Sequence, residues 1–301
     1  MKIAHIILAH KLPEQLVRIV HKLNNDKADF FIHVDKKTDK KIYKEIFDAL
    51  SGHKNVHFLK RHKSDWGAFG IVSATLEGIQ EVLAQEKQYD YVNLITGQDY
   101  PIKSNQQIEK ILQENLGKSF VEYFPLPSKR WKGENEGMDR LTHWYFTWRG
   151  RRTSFTNRKP FLSPRMNKWW STIVTALKLR PKPPKDIKFF GGSAYWTLTQ
   201  ECVEYIDTYA RNNHKIMNFF RHIMIPDEIF FQTILLNSDH KEHIVQDNLR
   251  YILWSDDPHP EMLQKKHFKE LMSTDKLFAR KFDMTIDGDV LDMIDQETQN
   301  L

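Results

Sequence analysis

The stretch MIPDEIFFQTILLNS, residues 224–238, sets two adjacent carboxylates, Asp227 and Glu228, after Pro226 and ahead of an apolar run with helical spacing. Proline suits the first position of a helix. Acids suit its first turn, where unpaired backbone amides and the macrodipole stabilise the ionised carboxylate. The pair therefore reads in two ways, as acids that complement a helix start or as a carboxylate kept ionised to take a proton. Other groups able to do chemistry stand at the ends of short apolar runs: His10 and Lys11, His33 and Asp35, and the turn Thr96, Gly97, Gln98, Asp99. One DxD arrangement, Asp287-Gly288-Asp289, has the form of a metal-binding pair, but it lies in the C-terminal tail and reads as an exposed turn.

The elements that must position these groups follow from periodicity. IAHIILA, DFFIHVD, VHFLK and YDYVNLITG read as strands, and LPEQLVRIVHKLNN, KKIYKEIFDALSG and FGIVSATLEGIQEVLAQE as helices between them. Such alternation predicts βαβ units and a mainly parallel, Rossmann-like sheet flanked by helices, with ligands beyond the carboxyl ends of the strands. His10, Lys11, Asp35 and Thr96 to Asp99 fall at those ends. From about 118 to 186 prolines and basic, aromatic stretches break the pattern, with one helix expected in MNKWWSTIVTALKL. FFGGSAYWTLTQECVEYIDTYARNN then predicts a strand and a helix, residues 224–238 a helix opened by Pro226, and HIVQDNLRYILW a strand. We read one domain over 1–301, with a nucleotide half to about 118 and an acceptor and catalytic half beyond it.

Composition bounds the function classes. In 301 residues, 40% are hydrophobic and 28% charged, which suits a soluble globular chain. The single cysteine, Cys202, can form no internal disulfide, and no CxxC or Cys/His zinc spacing occurs, so a reducing, cytoplasmic setting is expected. The apolar run at the N-terminus is too short for a signal peptide or a membrane span. GxGxxG and Walker loops are missing, which disfavours dinucleotide oxidoreductases and P-loop enzymes. A net charge of +6 favours an anionic partner: a nucleotide, a phospholipid surface or nucleic acid. The basic strings between Lys129 and Lys188 suit a peripheral contact with the inner face of the plasma membrane or plain solvated loops. A nucleic-acid-binding module is the rival class, but 39 acids nearly offset 45 bases and no RRM, KH or zinc-finger signature is present.

Taken in order, FIHVDKKTD, SDWGAFGIVSATLEGI, YVNLITGQDYPIKSN, GGSAYWTLTQECVEYI, PDEIFFQTILLNS, NLRYILW and LFARKFD resemble the Core-2/I-branching and peptide O-xylosyltransferase family, glycosyltransferase family 14. The resemblance runs from the first strand to about Asp283. It implies a GT-A type fold and an inverting transfer from a UDP-sugar without a divalent metal. It further implies a bacterial member acting on a polysaccharide or lipid-linked saccharide, with xylose or N-acetylglucosamine as the favoured sugar.

The same resemblance implies roles for individual residues. Glu228 matches the catalytic base, with Asp227 as its structural neighbour. Arg250 and Lys281 match the diphosphate-binding arginine and lysine, with Arg280 as an alternative to Lys281; together they would replace a Lewis acid. Asp35 matches the uracil contact, His10 and Lys11 are further nucleotide-pocket candidates, and Thr96, Gly97 and Asp99 line the donor sugar. Asp99 is equally suited to holding its own turn. Arg130 matches an acceptor-contacting arginine and Glu122 lies near it, with a spacing that departs from the family pattern. Trp66 and Trp196 stand open between a sugar-stacking face and a place in the core.

Overall fold

The computed structural model of the chain describes residues 1–131, 134–148, 151–154, 182–255 and 259–299. Its first third alternates as the apolar pattern predicts: β1 (Ile3–Ala9), α1 (Pro13–Leu23), β2 (Ala28–Val34), α2 (Lys40–Leu50), β3 (Val56–Phe58), α3 (Gly70–Leu83) and β4 (Tyr91–Thr96). β1 and β2 are near-continuous apolar runs because helices cover both faces of the sheet, leaving no face for polar alternation. α1 carries Pro13 in its first turn and buries Gln15, Leu16, Ile19, Val20 and Leu23, a stripe at helical spacing.

The rest of the chain completes the same sheet. β5 (Asp99–Pro101) leads to α4 (Asn105–Glu114), opened by a capping box between Ser104 and Gln107, and then to β6 (Ser119–Pro125). After α5 (Asp139–Thr142) and the hairpin strands β7 (Tyr145–Trp148) and β8 (Arg151–Ser154) come β9 (Phe190–Thr199), α6 (Gln200–Asn212) and α7 (His214–Arg221). α8 (Phe230–Leu236), β10 (Ile244–Val245), β11 (Arg250–Ile252), α9 (Phe268–Ser273), β12 (Phe278–Arg280) and α10 (Asp289–Gln299) follow. The main sheet has the order β10-β6-β9-β4-β1-β2-β3 and is parallel except where β9 runs against β4 and β6. A second, three-stranded sheet has the order β11-β12-β5.

One apolar layer, including Ile7, Phe30, Phe282 and Ile294, fills one face of the main sheet; another, with Ile6, Trp196, Phe230 and Phe231, fills the other. Where β9 crosses β6, a Cβ on Gly192 would lie 1.9 Å from the Glu122 carbonyl oxygen, so only glycine allows the two strands this approach. Among the described residues no helix is long and apolar enough to cross a membrane.

Three expectations change. Pro226 does not open the apolar helix; it opens a separate 3-10 turn, Pro226–Glu228, because Ile225 is left-handed (φ 51°) and Ile229, at φ −130°, lies outside helical geometry. HIVQDNLRYILW forms two short strands, β10 and β11, in different sheets. The tail containing Asp287 and Asp289 ends in a helix, α10. The helix expected in MNKWWSTIVTALKL lies outside the described residues.

Candidate active site

The carboxyl ends of three parallel strands converge. The Asp35 amide donates to the Ala9 carbonyl at 2.8 Å, and the Gly97 amide to the Leu8 carbonyl at 3.0 Å. This sets His10 and Lys11, Asp35, and Thr96 with Gly97 side by side at one edge. Asp35 is buried, and its Oδ1 accepts from the Lys37 amide at 2.8 Å, while Oδ2 lies 3.8 Å from the Lys37 ammonium. One carboxylate oxygen thus shapes the turn and the other faces the Lys37 ammonium. Arg61, which the sequence did not single out, donates to the Asp35 carbonyl at 2.7 Å and fixes this strand end.

Asp99 turns out to hold its own turn. Its Oδ2 accepts from the Thr96 amide, and it is fully buried. Its Oδ1 stands 3.4 Å from Nη1 of Arg280, so the turn side chain and the end of β12 form an ion pair. Two glutamines dock that segment: Gln15 donates to the Gly97 carbonyl at 2.7 Å and to the Phe282 carbonyl at 3.3 Å, and the Phe282 amide donates to the Gln98 carbonyl. Lys281 is thereby placed next to the Thr96–Asp99 turn. Among the described residues its half-buried ammonium has no hydrogen bond or ion pair. Burial, and then the charges of Arg280 and Lys11, pull its pKa down from the ordinary lysine value. Lys11 is paired with Asp283 at 2.8 Å. Asp99 and Asp283 oppose that shift without offsetting it, so three cations stand here against two carboxylates, a balance that favours an anion at this edge.

Arg250 is not among those open cations. It is 4% exposed, and its guanidinium donates to Asn93 Oδ1, Thr197 Oγ1 and the carbonyls of Leu94, Trp196 and Asn248. These acceptors belong to β4, β9 and the loop just before β11. The side chain that the resemblance puts on the diphosphate thus also ties β4 and β9 to the residues leading into β11.

Glu228, in the 3-10 turn, keeps about a third of its side chain open (34%) and accepts from Arg140 of α5 at 3.1 Å. Arg140 also stacks over Trp131 at 3.7 Å, and its carbonyl accepts from the Met224 amide. Burial pushes the Glu228 carboxyl above the ordinary range and Arg140 opposes that shift. The buried Asp227 is also pushed up, by burial first and then by the charge of Glu228. The more open of the two acids therefore has the cation. The turn is anchored from behind by Phe230, Phe231, Ile234 and Leu235, all buried, and by Gln232, which donates to the Ser193 carbonyl. Arg280 and Glu228 stabilise each other's charged form, which places the cation cluster and the carboxylate in one electrostatic field.

On the expected acceptor side, Glu122 accepts from Asn248 at 2.9 Å, and burial pushes its carboxyl up while Arg130 pulls it down. It also acts on Glu228 as a like charge. Arg130 is exposed and its guanidinium lies 5.3 Å from the Phe124 ring centroid. Trp196 is corrected: it has no exposed surface and packs against Phe231, so it meets no sugar. Trp66 is 63% exposed, and the next residue, Gly67, accepts from the Ile225 amide at 3.1 Å, which ties it to the turn bearing Glu228. The Asp287-Gly-Asp289 pair is occupied structurally: Asp287 accepts from the Lys265 and Val290 amides, and Asp289 pairs with the Lys265 ammonium.

Sequence reasoning missed Arg140 and Tyr195, whose ring centroid lies 3.9 Å from the Arg280 guanidinium carbon. Arg140 lies in a weakly periodic region whose only signal was its basic character, and Tyr195 sat within GGSAYW with nothing to mark it from its neighbours.

Comparison with known proteins follows this geometry. Xylosyltransferase 2 of Rattus norvegicus and of Homo sapiens are each 25% identical over 319 residues, covering 98% of this chain and 33% of theirs. Xylosyltransferase 1 of Homo sapiens is 23% identical over 318 residues, with 98% and 30% covered. The chain spans about a third of the length of these relatives. Among solved structures, core-mannan synthase A of Aspergillus fumigatus aligns with a TM-score of 0.36 and 11% identity over 81% of this chain and 72% of that one. The profile of the Core-2/I-branching enzymes matches residues 3–276, nearly the whole chain. The chain belongs to the Core-2/I-branching enzyme family, glycosyltransferase family 14.

Proposed function

We propose that the chain transfers a sugar from a UDP-sugar to a saccharide or lipid-linked saccharide acceptor, with inversion, in one in-line displacement. Glu228 takes the proton of the acceptor hydroxyl as that oxygen bonds to the anomeric carbon. The bond from that carbon to the diphosphate oxygen breaks, and UDP leaves with the electron pair. Lys281, with Arg280 and Lys11 behind it, meets the departing charge, and Asp35 accepts the uracil NH through its Oδ2. The observation that carries this reading is the Lys281 ammonium, which has no hydrogen bond or ion pair among the described residues and lies near Arg280 and Lys11, on the same side as a carboxylate held by Arg140. The similarity to xylosyltransferases supports UDP-xylose as donor, with UDP-N-acetylglucosamine next.

Turnover of a panel of UDP-sugars in EDTA, followed by release of UDP, tests the proposal. UDP release with one or more of these donors is expected without added metal. Inactivity in EDTA that manganese restores would replace the side-chain cations by a metal. No binding of any UDP-sugar, in a thermal-shift screen as well as in turnover, would remove the reading.

A further inference from the structure

Arg280 is held by a ring as much as by a carboxylate. Its guanidinium carbon stands 3.9 Å from the centroid of Tyr195, and the residue is only 8% exposed. The ion pair with Asp99 is loosely aligned: at 3.4 Å neither Asp99 Oδ1 nor Arg280 Nη1 completes a hydrogen bond, and both atoms are buried. Opposite charges in this arrangement attract without fixing the plane of the guanidinium. The flat face beneath it does fix that plane, with the phenol oxygen adding a weaker side-chain hydrogen bond, and a desolvated cation on an aromatic face is well stabilised. β9 carries the ring: Thr197 pairs with Asn93 of the antiparallel β4, so Tyr195 lies two residues nearer the carboxyl end of β4, where the site opens. Tyr195 is also within electrostatic reach of Asp99 and of Asp227, the neighbour of Glu228.

We propose that Tyr195 is a positioning residue of the leaving-group pocket: its ring sets the Arg280 guanidinium, and with it the adjoining Lys281, against the diphosphate of the nucleotide. This rests on the reading that the site binds a nucleoside diphosphate. The ring acts on the diphosphate part of the ligand alone, because uridine is met at the ends of β1 and β2.

Titration calorimetry with UDP and with uridine on the full chain separates the two parts. Tyr195→Leu removes the flat face and is expected to weaken UDP by roughly tenfold while uridine stays within about twofold. Tyr195→Phe keeps the face and should hold both ligands within about threefold of wild type. Tyr195→Met serves in place of the leucine variant if that one fails to fold. Equal weakening of UDP and uridine, no weakening of either, or a loss in Tyr195→Phe as large as in Tyr195→Leu would each overturn the role of the ring. If the wild-type protein binds UDP no better than uridine, the diphosphate reading itself fails, and that is seen before any variant is made.

Discussion

At the scale of single residues, the two adjacent acids part company through their surroundings. Glu228 is open enough to meet a substrate and has Arg140, whereas Asp227 is buried with its Oδ1 unpartnered. Glu228→Gln should lower transfer by about 10³-fold, with UDP affinity by calorimetry nearly unchanged, since a general base contributes on that order. Wild-type turnover in this variant would transfer the role elsewhere. Arg140 stabilises the ionised carboxylate, so Arg140→Ala raises the pKa of Glu228 and should move the acid limb of the kcat–pH profile to higher pH; an unmoved limb would separate Arg140 from the base. For Arg250, Arg250→Ala removes five buried hydrogen bonds, leaving Thr197 Oγ1 and Asn93 Oδ1 only each other, and should cost about 3 kcal/mol in urea unfolding. A variant of unaltered stability that loses only UDP affinity would place Arg250 on the diphosphate rather than in the scaffold.

At the scale of elements, the position of Glu228 depends on two junctions. The 3-10 turn hangs between α7 and α8 and is tied to Gly67 and to α5 by backbone hydrogen bonds. β9, bearing Tyr195, is pressed on β6 at a point that excludes any side chain. Gly192→Ala would drive a Cβ into a backbone oxygen that has no rotamer to escape by, so a loss of about 2–3 kcal/mol in unfolding free energy is expected. Wild-type stability would show that the two strands can part without loss. The early strands and helices were legible because their apolar spacing is regular and their partners are close in the chain. The 3-10 turn was not, since nothing in PDEIFF marks Ile229 as leaving helical geometry. The end of the chain was read as a tail because α10 is an amphipathic acidic helix, stabilised by ion pairs from Asp295 to Arg18 and Lys22, residues nearly the whole chain away.

At the scale of the whole molecule, buried histidines link stability to pH. Burial pushes His5 down to about 3 and His33 down to about 4, so both fold as neutral rings. The unfolded chain binds more protons than the native one between these values and the ordinary histidine pKa near 6.5. Their stabilising effect is therefore complete above about pH 6.5 and is lost as pH falls toward 4. Thermal midpoints should drop over that interval, and His33→Gln should flatten the slope; an equally steep fall in that variant would assign the acid sensitivity to other groups. By itself the sequence determined the alternation of strands and helices, the strand ends that gather at one edge, and the ordered strings that mark the family, because these depend on local periodicity and residue order. Only the tertiary structure decided which charges are free. It bound Arg250 to both sheets, buried Trp196, exposed Trp66, paired Glu228 with Arg140 and, among the described residues, left the Lys281 ammonium without a hydrogen bond, since burial and pairing arise from residues that meet across the fold and carry no signature in the chain.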